Sequence, residues 1–132
     1  MRILLDTNAY SHLKRGQSQV AALVRMSEEI FLSAIVIGEL LYGFRQGSRI
    51  KRNIEELQSF LDSPYVTFIP AGRVTADHYS RIGRALRAKG RPIPSNDIWI
   101  AAHALETGAD LVSHDSHFAD VDGIRWTPVS TE

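Results

Sequence analysis

Ile3-Leu4-Leu5 is a run of branched apolar residues that stops at a carboxylate, Asp6, and gives way to Thr7 and Asn8. Without polar alternation, such a run reads as a strand buried on both faces, the condition of strands in a parallel sheet covered by helices. Parallel strands cannot be joined by tight hairpins, so helices must alternate with strands along the rest of the chain. The same run places Asp6 where a strand opens into a loop. In open parallel sheets that end of the strand is where ligands collect, so an acid there is placed for chemistry.

The remaining sequence keeps the alternation. A short helix is expected over residues 9–16, stopped by Gly16, and a second over 17–29 with Val20, Leu23 and Val24 on one side. Residues 30–33 read as a second buried strand whose Ser33 caps the next helix, over 34–44. A turn at Gly47 leads into a helix ending near Leu61, and residues 65–69 read as a third strand ended by Pro70. Residues 73–89 form an amphipathic helix with Val74, His78, Ile82, Ala85 and Leu86 inward and Arg81, Arg84 and Arg87 outward. The stiff loop Gly90-Arg91-Pro92-Ile93-Pro94 precedes a helix capped by Ser95 or Asn96 and closed by Gly108. Residues 109–113 are the fourth strand and 124–126 the last, with Pro128 ending regular structure. The fold class that follows is α/β, a three-layer α/β/α sandwich around a mainly parallel sheet.

Composition removes several classes of function. The 132 residues suit a single domain, 1–132, and no apolar run approaches the roughly 20 residues of a membrane helix. The apolar run after Arg2 is too short for a signal peptide, so a cytoplasmic protein is expected. There is no cysteine, which excludes disulfides, thiolate-bound zinc and thiol nucleophiles together. A formal net charge of zero means that nucleic-acid binding would need a local basic patch. Two stretches offer one: Arg45, Arg49, Lys51 and Arg52 around the turn, and the Arg81, Arg84, Arg87 stripe. Either is also what a plain solvated face looks like.

Three further acids stand in positions comparable to that of Asp6. Glu39 shares a helical face with Ile35 and Tyr42, so it either snorkels from the helix edge or meets a cation or hydrogen-bond network. Asp97 lies in the first turn of its helix, on the side of Ile100, Ala101 and Ala104, and so points toward the sheet. Asp115 follows the fourth strand directly, flanked by His114 and His117, which are read as exposed or as orienting Asp115. His12, His78 and His103 are surface or packing residues. Parallel topology puts all strand ends on one side, so the four acids can converge. Carboxylates sharing a pocket repel unless a hard cation sits among them, and oxygen ligation without cysteine suits Mg²⁺ or Mn²⁺. Such clusters serve phosphate chemistry. There is no phosphate-binding glycine loop and no nucleophile elbow. A phospho-acceptor role for Asp6 would want a second acid where Asn8 stands and a lysine after Ser113.

Leu5-Asp6-Thr7-Asn8, Ser33 through Glu39-Leu40, Asn96-Asp97-Ile98-Trp99-Ile100-Ala101-Ala102 and Leu111-Val112-Ser113-His114-Asp115-Ser116-His117-Phe118 together resemble the PIN-domain proteins. The likeness is specifically to the VapC-type ribonuclease toxins of bacterial toxin-antitoxin pairs, in order and spacing over the whole chain. It implies that Asp6, Glu39, Asp97 and Asp115 bind Mg²⁺ or Mn²⁺ and cleave RNA, such as tRNA or another structured RNA. It gives Asn8 and Ser113 a supporting, hydrogen-bonding role, with Ser113 standing where the family usually has Thr. It further implies a homodimer and a cognate antitoxin that crosses the acidic groove. Arg45, Arg49, Arg52, Arg81, Arg84 and Arg87 are candidates for contacting RNA or antitoxin. The other readings of the same residues are a PIN-like binding module without turnover and a metal-dependent DNA nuclease or phosphatase.

Overall fold

A computed structural model describes residues 1–131. In chain order it runs β1 (Arg2–Leu5), α1 (Thr7–Lys14), α2 (Ser18–Met26), β2 (Glu29–Ser33), α3 (Ala34–Arg45), α4 (Ile50–Leu61), β3 (Val66–Ile69), α5 (Arg73–Ala88), α6 (Ser95–Thr107), β4 (Asp110–Ser113), a 3₁₀ turn (Ser116–Asp120) and β5 (Arg125–Pro128). The strands form one sheet in the order β3-β2-β1-β4-β5, and every pairing is parallel. This is the α/β sandwich that the apolar run at residues 3–5 requires. Ile3, Leu4 and Leu5 are fully buried, as are Leu111 and Val112 of β4. Among the described residues no helix is long and apolar enough to cross a membrane.

The strand order carries the functional consequence. From β1 the chain moves outward to β2 and β3, then returns across the sheet to place β4 and β5 on the other side of β1. The carboxyl ends of β1 and β4 therefore flank the point where the winding reverses, the crevice in which open sheets bind ligands. Register makes this concrete. Leu5 pairs with Val112, so Asp6 and Ser113 each lie one residue past a matched pair.

Several boundaries depart from expectation for local reasons. Helix α1 begins at Thr7 because Asp6 is its N-cap, its carboxylate accepting from the Ala9 amide at 2.8 Å. Helix α2 stops at Met26, since Ser27 turns extended and Glu29 is claimed by β2 through its pairing with Arg2. Pro94, not Ser95 or Asn96, occupies the N-cap of α6; its carbonyl accepts from the Asp97 and Ile98 amides, and Pro94 itself has no N–H to leave unpaired. Pro128 sits within β5, tolerated there because β5 is an edge strand. On α5 the buried face is Thr75, Ile82 and Leu86, while Val74 is exposed. Thr75 takes the inward place instead, its hydroxyl donating to the half-buried Glu106 at 2.6 Å. Helices α5 and α6 are also tied by a tilted stack of Tyr79 on Trp99, with centroids 4.2 Å apart.

Candidate active site

A cavity of about 370 Å³ at the carboxyl ends of β1 and β4 is lined by Asp6, Glu39, Asp97 and Asp115, together with Thr7, Asn8 and Asn96. The four acids singled out in the sequence thus share one cavity, though each comes from a different element. Asp6 closes β1, Glu39 projects from the middle of α3, Asp97 stands in the first turn of α6, and Asp115 precedes the 3₁₀ turn.

Asp6 is the deepest of them, at 3% exposure. Burial raises its pKa to about 6; hydrogen bonds from Ser113 and the Ala9 amide pull it down, and the Asp115 charge adds to the rise. Asp97 is likewise held above the usual carboxylate range, by burial first and then by Asp115 and Glu39, with His117 acting in the opposite sense. Both shifts say the same thing about the cavity. It buries carboxylates beside one another, burial contributing most.

Glu39 is fixed by two donors. The Thr7 hydroxyl donates to its Oε1 at 2.6 Å, and the Asn96 amide to its Oε2 at 3.3 Å. Its choice between the helix edge and the acids is therefore settled toward the acids. Ser113 is buried behind Asp6, and its hydroxyl also accepts from the Asp115 amide at 3.0 Å. The Ser113 carbonyl in turn accepts from the Trp126 indole at 3.0 Å, which fixes where β4 ends. Asn8 lines the cavity with an exposed side chain, and among the described residues it donates to none of the acids. Thr7 and Asn96 supply the hydrogen bonds to Glu39 instead. Thr7 carries no sequence signal of its own beside Asp6, and Asn96 reads only as a candidate helix cap.

The histidines divide. His117 places Nε2 3.0 Å from Oδ2 of Asp97, so it serves Asp97 and not Asp115. From there it opposes the upward shift of the Asp97 carboxyl. His114 lies 3.6 Å from Asp115 and packs edge-on against the buried His12. His103 is wholly buried on α6, with Nδ1 2.7 Å from Glu106. The arginines also divide: Arg49 and Arg52 border a separate cavity with α1, while Arg84 and Arg87 are exposed on α5.

The donor set fits a hard divalent cation. Ligand atoms of Asp97, Asp115 and His117 lie within 4.8 Å of one another, and the raised carboxyls of Asp6 and Asp97 are groups that a cation would return to the ionised state.

The PIN-domain family model matches residues 3–124. Ribonuclease VapC2 of Haemophilus influenzae is 31% identical over 117 residues, 87% of each chain. The tRNA(fMet)-specific endonuclease VapC of Shigella flexneri is 25% identical over 128 residues, 95% of this chain and 96% of its own. The solved structure of VapBC-1 from nontypeable Haemophilus influenzae superposes with a TM-score of 0.85 at 26% identity, covering 97% of this chain and 98% of that one. With a match running from the first strand almost to the last, and with a VapC ribonuclease aligned over most of its length, the chain belongs to the PIN-domain family and to its VapC-type ribonucleases.

Proposed function

We propose that the protein is a divalent-metal-dependent endoribonuclease that hydrolyses phosphodiester bonds of a structured RNA, acting as the toxin of a toxin-antitoxin pair. The observation that carries this reading is the convergence of Asp6, Glu39, Asp97 and Asp115 on one cavity, with Asp6 pushed up to about 6. The names of the relatives support the RNA, since the Shigella flexneri protein acts on tRNA(fMet).

Asp6, Asp97 and Asp115 would hold Mg²⁺ or Mn²⁺, with His117 beside them. When bound, such an ion supplies a Lewis acid for the phosphoryl oxygens and makes water a better nucleophile. The chain's own contribution is position. The Ala9 amide and Ser113 hold Asp6, His117 holds Asp97, and Thr7 with Asn96 aim the Glu39 carboxylate into the cavity, where it orients the attacking water. In-line attack breaks the bond to the 3′-oxygen and leaves a 5′-phosphate and a 3′-hydroxyl, with no part for the 2′-hydroxyl. The partner is a cognate antitoxin that blocks the acids by covering this cavity, and the active form is a homodimer.

The test is cleavage of a total small-RNA pool by purified protein with Mg²⁺ or Mn²⁺, with EDTA and Asp97→Asn as controls. Cleavage abolished by both controls supports the reading. A 2′,3′-cyclic phosphate product overturns the mechanism. Absence of cleavage by metal-loaded protein free of antitoxin favours a binding module without turnover.

A further inference from the structure

A second cavity, of about 280 Å³, lies between α1 and the start of α4 and is bordered by Lys14, Arg15, Arg49 and Arg52, with Tyr10 and Glu56 in its wall. Four cations face one carboxylate, on a chain whose formal net charge is zero. That carboxylate is already engaged, Glu56 accepting from Nε of Arg52 at 3.1 Å. Lys14 is held by rings and not by an acid, its ammonium 5.6 Å from the Tyr10 centroid and 5.4 Å from that of Phe60. A cation–π contact fixes an ammonium without cancelling its charge. Arg15 reaches only the His12 ring, and Arg49 has no ion pair among the described residues.

Tyr10 supplies the second observation. It is 2% exposed, yet its hydroxyl has no hydrogen-bond partner. Tyr10 lines the cavity, and burial, then the Glu56 carboxylate, push its phenol up to about 12. Buried donors are normally paired. Surplus cations and an orphan hydroxyl at one place lack the same thing, an anion with accepting oxygens.

The stripe on α5 is built differently. Arg81 is paired with Asp77 at 2.9 Å, and the basic residues just past the helix, Lys89 and Arg91, meet Asp122 and Asp120. Arg84 and Arg87 are exposed without an ion pair among the described residues, as Arg49 is, so what sets the region at α1 and α4 apart is that its cations border one cavity.

Helix α1 joins that region to the acids. Thr7, which touches Glu39, and Lys14 are seven residues apart on one helical face, about 10 Å along the axis. That span equals about three nucleotides at the roughly 3.4 Å rise of a stacked strand. We propose that this cavity binds a backbone phosphate of the RNA substrate a few nucleotides from the scissile bond, with Lys14, Arg49 and Arg52 as the contacts and Tyr10 as a hydroxyl donor. The proposal rests on the ribonuclease reading and adds a substrate subsite to it. A carboxylate of an acidic protein segment is the competing occupant. The shared face of α1 favours the strand that already passes the acids.

The experiment is a fluorescence-anisotropy titration of a labelled 12-nucleotide single-stranded RNA into the full protein in EDTA, over a series of KCl concentrations. It compares wild type with Lys14→Ala, Arg49→Ala, Tyr10→Phe and, as a control on the stripe, Arg84→Ala. Loss of a phosphate contact flattens the slope of log affinity against log salt by about 0.7 for single strands. Lys14→Ala and Arg49→Ala are expected to show that change with a roughly three- to tenfold weaker affinity, and Arg84→Ala neither. Tyr10→Phe removes no bond within the protein, so an unchanged thermal midpoint with a roughly twofold or greater loss of RNA affinity assigns its hydroxyl to the ligand. With metal restored, the same cation variants should raise KM for the 12-mer and leave kcat unchanged. Unchanged affinity and slope in both cation variants, while wild type cleaves RNA, overturn the subsite alone. Variants that keep RNA affinity but lose binding to a poly-glutamate peptide overturn it in favour of the acidic partner. Wild type that cleaves no RNA under any metal condition overturns the ribonuclease reading itself.

Discussion

The Thr7 hydroxyl donates to Oε1 of Glu39 across 2.6 Å and so ties the first turn of α1 to the middle of α3. Among the described residues no other contact aims that carboxylate at such close range, the Asn96 amide standing at 3.3 Å. Thr7→Val keeps the branched shape and removes the donor. It should lower kcat on RNA by about tenfold, the scale of a single positioning hydrogen bond, with the thermal midpoint little changed. Thr7→Ser should restore most of the rate. Equal rates for Val and wild type would show that Glu39 needs no such aim.

Asp6 costs the fold stability at neutral pH. Its carboxyl titrates near 3.8 in the unfolded chain and at about 6 in the fold, so the folded state holds the proton more tightly. The group's contribution is full below about pH 4 and is lost as pH rises through 6, on the order of 3 kcal/mol in all. Asp6→Asn can still accept from the Ala9 amide and carries no charge. In EDTA at pH 7 it should need more denaturant to unfold than wild type, by about 1–3 kcal/mol, and the gap should close near pH 4. The same variant should be inactive.

Metal and protons compete for the same oxygens. Mn²⁺ should raise the thermal midpoint of wild type at pH 7.5, and Asp97→Asn should blunt that rise. Because Asp6 binds its proton up to about pH 6, apparent Mn²⁺ affinity should fall by up to about tenfold per pH unit below that value. His117 offers a ligand nitrogen beside Asp97 and Asp115, so His117→Ala should weaken Mn²⁺ binding at both pH 6 and pH 8. Calorimetric titrations at the two pH values read this directly.

Glu106 accepts from Thr75 at 2.6 Å and lies 2.7 Å from Nδ1 of the buried His103, a polar clamp between α5 and α6. Thr75→Val removes one donor and leaves the carboxylate short of a partner. Destabilisation by about 1–3 kcal/mol is expected, with RNA cleavage at 25 °C close to wild type, because the clamp lies at the far end of α6 from Asp97.

Asp6 and Asp115 were legible because each directly follows an apolar run, and parallel topology sends every such run to the same side. Asp97 was legible from its small apolar neighbours on the helical wheel. Glu39 was less so: its face is apolar on both sides, and only the approach of α1 decides which way it turns. Thr7 and Asn96 escaped notice as its partners for the same reason, since a hydroxyl or an amide beside an acid carries no periodic signal of its own. His117 reads in the sequence as exposed or as orienting Asp115, whereas the 3₁₀ turn at Ser116–Asp120 carries its ring over to Asp97. Among the fold boundaries, those at Glu29 and Pro128 lie where a strand partner overrides local preference, and those of α1 and α6 where the cap stands earlier than expected, at Asp6 and Pro94.

The place of β1 in the sheet has a consequence for how the protein is made. Leu5 must wait for Val112 before the crevice between β1 and β4 exists. A growing chain that has just emerged through α3 already carries Asp6 and Glu39 but has neither Asp97 nor Asp115, and one edge of β1 is still open. Pairing across so long a loop is late and slow compared with the helices. On this strand order the four acids cannot share a cavity until residue 115 has emerged, so a nascent chain holds an incomplete site for most of its synthesis.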